Sequence, residues 1–306
     1  MPRVLAVALL LASSVASAEN SGPGTFVPAR EPDPTVVGGN QVPPGKWPDT
    51  VAVLGEGSCS GTLIAPDVVL TAGHCADIHP TRVIANSTNY VDGGTSATVK
   101  TVTEYPSWDT SYDVAVIVLN SPITGVTPRK LGTACTFAGF TEGAQVRLVG
   151  FGLTDPAGRG DNTLLNEAMA PVIDPDCMGP GGCEKTIRPG GEFIAGGSGT
   201  DSCFGDSGGP VYLDTPNGTV VIGAVSRGLD GSTMPCGGGG IYVRTDKLID
   251  WIEEVAGKPV AKDLCDGQPY EPPVGESDDG GCSTGGGSSL GGGLALLGLV
   301  LGRRRR

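Results

Sequence analysis

From Val36 to about Gly257 the chain breaks into short apolar runs separated by turn residues, and this rhythm limits what it can fold into. Runs at residues 50–54, 67–71, 98–102, 114–119, 145–149 and 219–226 have strand length and carry many β-branched residues. Gly, Pro, Asp and Asn stand between them, in a chain with 51 glycines and 25 prolines. Many short strands at such spacing argue for a sandwich or barrel. The 222 residues from 36 to 257 suffice for one large β unit or two small barrels with a core. One helix is expected, at 247–256, where Leu248, Ile249, Trp251, Ile252 and Val255 fall at roughly helical spacing.

The two ends read as address labels. Residues 1–18 combine Arg3, an apolar run at 4–12 and the small residues Ala16, Ser17 and Ala18. That is the layout of a secretory signal peptide, and the apolar run is too short for a membrane-spanning helix. Residues 19–35 are polar and Pro-rich and read as a pro-segment. Residues 258–281 form a charged linker containing Pro and Gly. Residues 283–302 carry no charge, turn apolar at 294–301 and end in Arg303, Arg304, Arg305 and Arg306. Twenty uncharged residues are long enough to cross a bilayer, although so many glycines make a poor helix. The arginines would hold that end in the cytoplasm. A glycine-rich tail without a membrane role is the competing reading.

Net charge and cysteine usage narrow the partners. Of the net charge of −13, most lies between residues 36 and 257, where 24 Asp and Glu face 12 Lys and Arg. Such a surface repels nucleic-acid phosphates, so no nucleic-acid partner is expected. It favours the arrival of cationic substrates. Nine cysteines in an exported chain point to disulfides. With two histidines and no Cys-x-x-Cys pair, a zinc site is not expected. No acidic loop is convincing enough to assign calcium, so no metal is assigned, and no cofactor is expected.

Three segments carry the chemistry. Leu70-Thr71-Ala72-Gly73-His74-Cys75 places one histidine beside a cysteine. Asp113 opens the very apolar run 114–119. Gly205-Asp206-Ser207-Gly208-Gly209-Pro210 sets a serine among glycines. A serine hydroxyl is a poor nucleophile until an imidazole takes its proton, and a buried carboxylate fixes that imidazole's tautomer. Glycines around the serine let backbone N–H groups face a developing oxyanion. The serine segment also fits the G-x-S-x-G elbow of α/β-hydrolases. That fold orders its triad serine, acid, histidine and needs helices between strands, whereas here His and Asp precede Ser. His79 has no motif around it and reads as a surface loop residue.

Together these segments resemble those of the chymotrypsin/trypsin family of serine proteases, over about residues 36–257 and in the same order. The resemblance implies an all-β fold of two six-stranded antiparallel β-barrels with a short C-terminal helix. It implies His74 as general base, Asp113 as its orienting partner and Ser207 as nucleophile, with the N–H groups of Gly205 and Ser207 as oxyanion hole. Asp201, six residues before Ser207, matches the floor of the primary specificity pocket, which implies polypeptide substrates cut after Lys or Arg. Gly228 and Gly240 match the glycines that keep such a pocket open, and Ser226 matches the residue supporting Asp113.

The resemblance also implies a switch and a set of disulfides. Val36-Val37-Gly38-Gly39 is similar to the new N-terminus that activates the family, whose ammonium would pair with Asp206. Thr35 departs from the basic residue that usually precedes that cut, so a separate activating protease is expected. Arg227 stands where the family usually has Trp, which would repel basic groups beside the scissile residue or favour acidic ones. The family's bridges imply Cys59–Cys75 and Cys203–Cys236. Cys177–Cys183 would close a local loop, and Cys135–Cys265 would tie the C-terminal extension to the domain. Cys282 is left over. It opens a tail at 282–306 that resembles the MYXO-CTERM sorting signal of myxobacterial surface proteins, implying a sorting protease, a membrane attachment through the tail and a place at the cell surface or outer envelope, or secretion. A non-catalytic binding module on the same fold and a zymogen-like surface adhesin are the competing functions.

Overall fold

The computed structural model describes residues 36–179, 183 and 190–266. The segments that read as signal peptide and pro-segment, most of the expected linker and the C-terminal tail lie outside the described residues. The chain divides into two units, Met1–Glu271 and Pro272–Arg306, and all described residues belong to the first.

A two-residue strand β1 (Asn40–Gln41) leads into the first barrel. That barrel is β2 (Thr50–Leu54), β3 (Ser58–Ala65), β4 (Val68–Thr71), β5 (Arg82–Ala85), β6 (Thr95–Glu104) and β7 (Ala115–Leu119). It closes in the order β2-β3-β4-β7-β6-β5, every pair antiparallel. The second barrel is β8 (Gln145–Gly150), β9 (Asn166–Asp174), β10 (Glu192–Ala195), β11 (Pro210–Thr215), β12 (Gly218–Gly228) and β13 (Gly240–Arg244). Its strands run β9-β10-β13-β12-β11-β8, and pairing of β8 with β9 closes the ring while β1 lies outside on β9. The fold is therefore two closed six-stranded antiparallel barrels.

Period-two alternation makes each barrel bury two faces. Along β7, Ile117 and Leu119 join Val51, Val53, Leu63 and Val83 inside the first barrel. Val116, pointing the other way, joins Leu70, Val149, Phe151, Tyr212 and Ile252 in the core that both barrels and the helix share. Phe140, Phe193, Val211, Ile222 and Tyr242 fill the second barrel.

The C-terminal helix α1 (Ile249–Ala256) begins two residues later than the helical spacing predicts, because Thr245–Lys247 tightens into a 3-10 turn. The Thr245 hydroxyl pins that turn on the carbonyls of Gly132 and Val221. Leu248, Ile252 and Ala256, four residues apart, are buried against the shared core. Gly257 ends the helix in the left-handed region at φ +66°, its N–H donating to the carbonyls of Glu253 and Glu254.

A polar cluster crosses the interface between the barrels. Asp49 is fully buried and accepts from Nε and Nη2 of Arg129 at 2.9 and 2.5 Å. The Tyr212 hydroxyl donates to Asp49 at 2.6 Å, and its ring stacks on Trp47 with centroids 4.7 Å apart. Burial alone would lower the basicity of Arg129, but the Asp49 carboxylate holds it above the usual value.

Among the described residues there are four disulfides: Cys59–Cys75, Cys135–Cys265, Cys177–Cys183 and Cys203–Cys236. The third lies in a stretch whose neighbours 180–182 and 184–189 fall outside the described residues. Among the described residues, no helix is long and apolar enough to cross a membrane.

Candidate active site

The site forms where loops of both barrels meet. His74 opens the 3-10 turn His74–Ile78 just after β4, and the Cys59–Cys75 bridge ties that turn to β3. Gly73 is required before it: a Cβ there would lie 2.7 Å from the Trp108 side chain and 3.1 Å from Asp113. Asp113 is buried two residues before β7 and grips His74 twice. Its Oδ1 accepts from the His74 backbone N–H at 2.9 Å, and its Oδ2 lies 2.9 Å from Nδ1.

Ser226 supplies a further bond, its hydroxyl donating to Asp113 Oδ2 at 2.7 Å. A bulge in β12 aims it: the register against β13 shifts between Val225 and Arg227. Burial pushes the Asp113 carboxyl up, but the His74 hydrogen bonds and charge and the Ser226 hydroxyl outweigh burial and hold it below the usual carboxylate range.

The Ser207 turn is fixed from both sides. The Ser60 hydroxyl and backbone N–H of the first barrel donate to the carbonyls of Gly205 and Ser207 at 2.8 and 2.9 Å. From the second barrel, Gly208 donates to the Val225 carbonyl at 2.8 Å. Gly208 has φ +75°, and a Cβ there would sit 2.1 Å from the Thr71 hydroxyl, so no larger residue fits. His74 and Ser207 line one cleft of about 290 Å³, with Ser202, Phe204, Ser226, Arg227 and Gly228 along its walls.

Beside it lies a second hollow of about 230 Å³ with Asp201 among its lining residues. Asp201 is buried, and its Oδ2 accepts from the N–H groups of Gly237 and Gly239 at 3.0 and 3.1 Å. Burial raises its carboxyl above the usual range against the pull of those N–H groups. Gly228 lines the hollow and pairs across the sheet with Gly240. A Cβ at Gly240 would lie 2.7 Å from the Tyr242 hydroxyl and 3.1 Å from Asp201. The Cys203–Cys236 bridge staples the pocket wall.

Val36 is completely buried among the residues of the second barrel's core. Asp206 is also buried and accepts from the N–H groups of Cys203 and Gly152 at 2.9 and 2.8 Å. Burial pushes its carboxyl up to about 7 despite those two bonds, with nearby Asp201 adding to the rise.

Sequence reasoning placed Arg227 in the cleft but missed its partner. Its guanidinium makes a two-pronged ion pair with Glu192, at 2.8 and 3.1 Å. Glu192 is fully buried at the head of β10, opposite Val243 of β13. A lone acid heading an apolar strand was the available signal. His79 is exposed and ends its 3-10 turn 3.5 Å from Glu56. Among the described residues, donors of metal-binding type gather in threes at Cys59, His74 and Cys75 and at Cys177, Cys183 and Glu192, and in both the sulfurs are joined in a disulfide.

Two closed barrels with a serine, an imidazole and a carboxylate gathered at their junction define a serine endopeptidase. Comparison with known proteins gives the family. The trypsin family model matches residues 36–252. Trypsin 5G1 of Aedes aegypti is 32% identical over 237 residues, spanning 72% of this chain and 85% of that protein. Serine protease 56 of Homo sapiens is 30% identical over 251 residues, and transmembrane protease serine 5 of Homo sapiens is 28% identical over 246. The matches to these two span 72% of this chain but only 38% and 51% of their own lengths. The chain belongs to the trypsin family.

Proposed function

We propose that the protein is an exported endopeptidase that cuts polypeptides after Lys or Arg. The observation that carries this reading is Asp201, a buried carboxylate facing a hollow beside the cleft of Ser207. A buried carboxylate without a counter-charge is unfavourable, so the cationic end of a Lys or Arg side chain is the ligand it selects. Ser207 attacks the scissile carbonyl while His74 takes its proton and later returns it to the leaving amine. Asp113 holds the imidazole and stabilises its cation. The N–H groups of Gly205 and Ser207 receive the oxyanion.

Activation follows cleavage before Val36. The freed ammonium pairs with Asp206 and orders the pocket and oxyanion hole, a switch thrown by release of a pro-segment. Because Thr35 precedes the cut, another protease makes it. The signal-like start supports export, and the tail beginning at Cys282 supports sorting to the cell surface with membrane attachment there.

The test is hydrolysis of matched chromogenic peptides ending in Arg, Lys, Phe or Ala, by protein with a freed Val36 and by its Ser207→Ala variant. Cleavage after Arg and Lys, blocked by benzamidine and absent from the variant, is expected. Cleavage only after Phe or Ala keeps the triad and refutes the role of Asp201. No turnover by folded protein with a proven free Val36 refutes the enzyme reading as a whole.

A further inference from the structure

We propose that Arg227, clamped by Glu192, is a positioning residue that holds the carboxylate of Asp113 through the hydroxyl of Ser226. This rests on the triad reading above. One Arg227 nitrogen, Nη1, donates both to Glu192 Oε1 at 2.8 Å and to Ser226 Oγ at 3.2 Å. Nη2 donates to Glu192 Oε2 at 3.1 Å. Ser226 Oγ then donates its own proton to Asp113 Oδ2 at 2.7 Å, and that same oxygen faces His74 Nδ1. The direction is uniform: guanidinium to hydroxyl, hydroxyl to carboxylate.

A serine hydroxyl can rotate, so by itself it fixes its proton's direction poorly. A cation donating to its oxygen leaves the proton one good target, the Asp113 carboxylate, and polarises it towards that target. The guanidinium is suited to this because its planar fork is held in place by a carboxylate of matching geometry. Here that carboxylate sits on β10, fully buried, while Arg227 sits on β12 with β13 between them. The positioning element therefore rests on the wall of the second barrel.

The pairing also changes what the cleft offers a substrate. Sequence reasoning expects Arg227 to repel basic groups beside the scissile residue or to favour acidic ones. With both terminal nitrogens engaged by Glu192, its charge is directed inward to the wall and to Ser226.

The experiment uses the full chain cleaved before Val36, with Arg227→Met, Arg227→Lys and the double variant Arg227→Met/Glu192→Gln. The double variant leaves no lone buried charge and guards against failure to fold. The substrate is an amide carrying nothing before its scissile residue, so lost subsite contacts cannot explain an effect. A second reading, the downfield NMR resonance of the His74 Nδ1 proton, reports the bond to Asp113 without turnover.

For Arg227→Met and for the double variant, kcat should fall about threefold to tenfold, as expected for a misaimed general base, with KM within about twofold. The Nδ1 proton resonance should move or broaden in both, and Arg227→Lys should recover part of each effect. Wild-type kcat with an unmoved resonance in the folded double variant overturns the proposal, as does a change confined to KM. If the wild type turns over no substrate, the enzyme reading fails separately. The resonance then decides the positioning role alone, a shift in the variants supporting it and no shift overturning it.

Discussion

The backbone N–H of Asp201 donates to the carbonyl of Val37 across 3.1 Å. The segment that opens the domain is therefore bonded directly to the buried acid lining the second hollow. Gly38, next along, has φ +81°, and a Cβ on it would lie 2.6 Å from the Gly199 carbonyl. Only a glycine allows this close approach of the opening segment to the 199–201 stretch.

Replacing Asp201 by Asn should keep the pocket's shape and remove its charge. The Gly237 and Gly239 donors keep an acceptor, while a bound Lys or Arg loses its counter-ion. We expect kcat/KM for arginyl and lysyl peptides to fall between about 10²- and 10³-fold, the size of breaking a buried pair. Unchanged rates on those peptides would remove Asp201 from the specificity pocket.

In the intact chain the nitrogen of Val36 is an amide, and Asp206 titrates at about 7 against 3.8 for an ordinary aspartate. Between these values the folded state keeps a proton that the unfolded state has lost. Stability of the intact chain should therefore decline as pH rises from about 4 to 7, by on the order of a few kcal/mol. Melting the intact Ser207→Ala chain across that window, beside the same chain with Asp206→Asn, isolates the contribution. The Asn variant should lack that part of the decline, and cleavage before Val36 should abolish it. Parallel curves for Asp and Asn would contradict the account.

Asp113→Asn keeps the volume but offers an amide to His74 Nδ1. The imidazole then settles in the wrong tautomer, and kcat should drop about 10⁴-fold with little change in KM. Steady-state kinetics at pH 8 give the answer, and a loss below about tenfold would take Asp113 out of the triad.

Tyr212→Phe tests the cluster between the barrels. The hydroxyl is lost from Asp49 and Thr50, while Asp49 retains Arg129. Denaturant unfolding should show a loss of about 1–3 kcal/mol, the size of depriving a buried acceptor of one donor, with kinetic constants unchanged. A stability within 0.5 kcal/mol of wild type, roughly the spread of neutral surface changes, would mean the bond is dispensable.

Much of this was readable from local patterns. The run at 50–54 coincides with β2, and that at 145–149 falls one residue short of β8. His74, Asp113 and Ser207 each announce themselves because their chemistry needs particular neighbours: a glycine that clears Trp108, an apolar strand, glycines that admit Thr71. β9 was harder to see, since Asn166, Glu167 and Pro171 interrupt its apolar alternation and one face of it is partly exposed. The pairing of Arg227 with Glu192 was out of reach for another reason. The two are 35 residues apart and meet only because β13 lies between their strands. Arg227 alone suggested a charged cleft wall, and its partner changes that meaning.

The Cys135–Cys265 bridge bears on how the domain would carry tension. Residue 265 follows α1 and the strand-like contact of Lys262 with Leu131, and Asp263 beside it is buried and bonded to Thr136 and Asn217. A pull applied anywhere beyond Cys265 reaches a covalent crosslink before it reaches the helix. Part of the load passes straight into the segment around Cys135, where the second barrel takes it up. If the chain is tethered by its far end, shear or a moving substrate strains that crosslink first, and the helix, buried against the shared core, is spared from peeling.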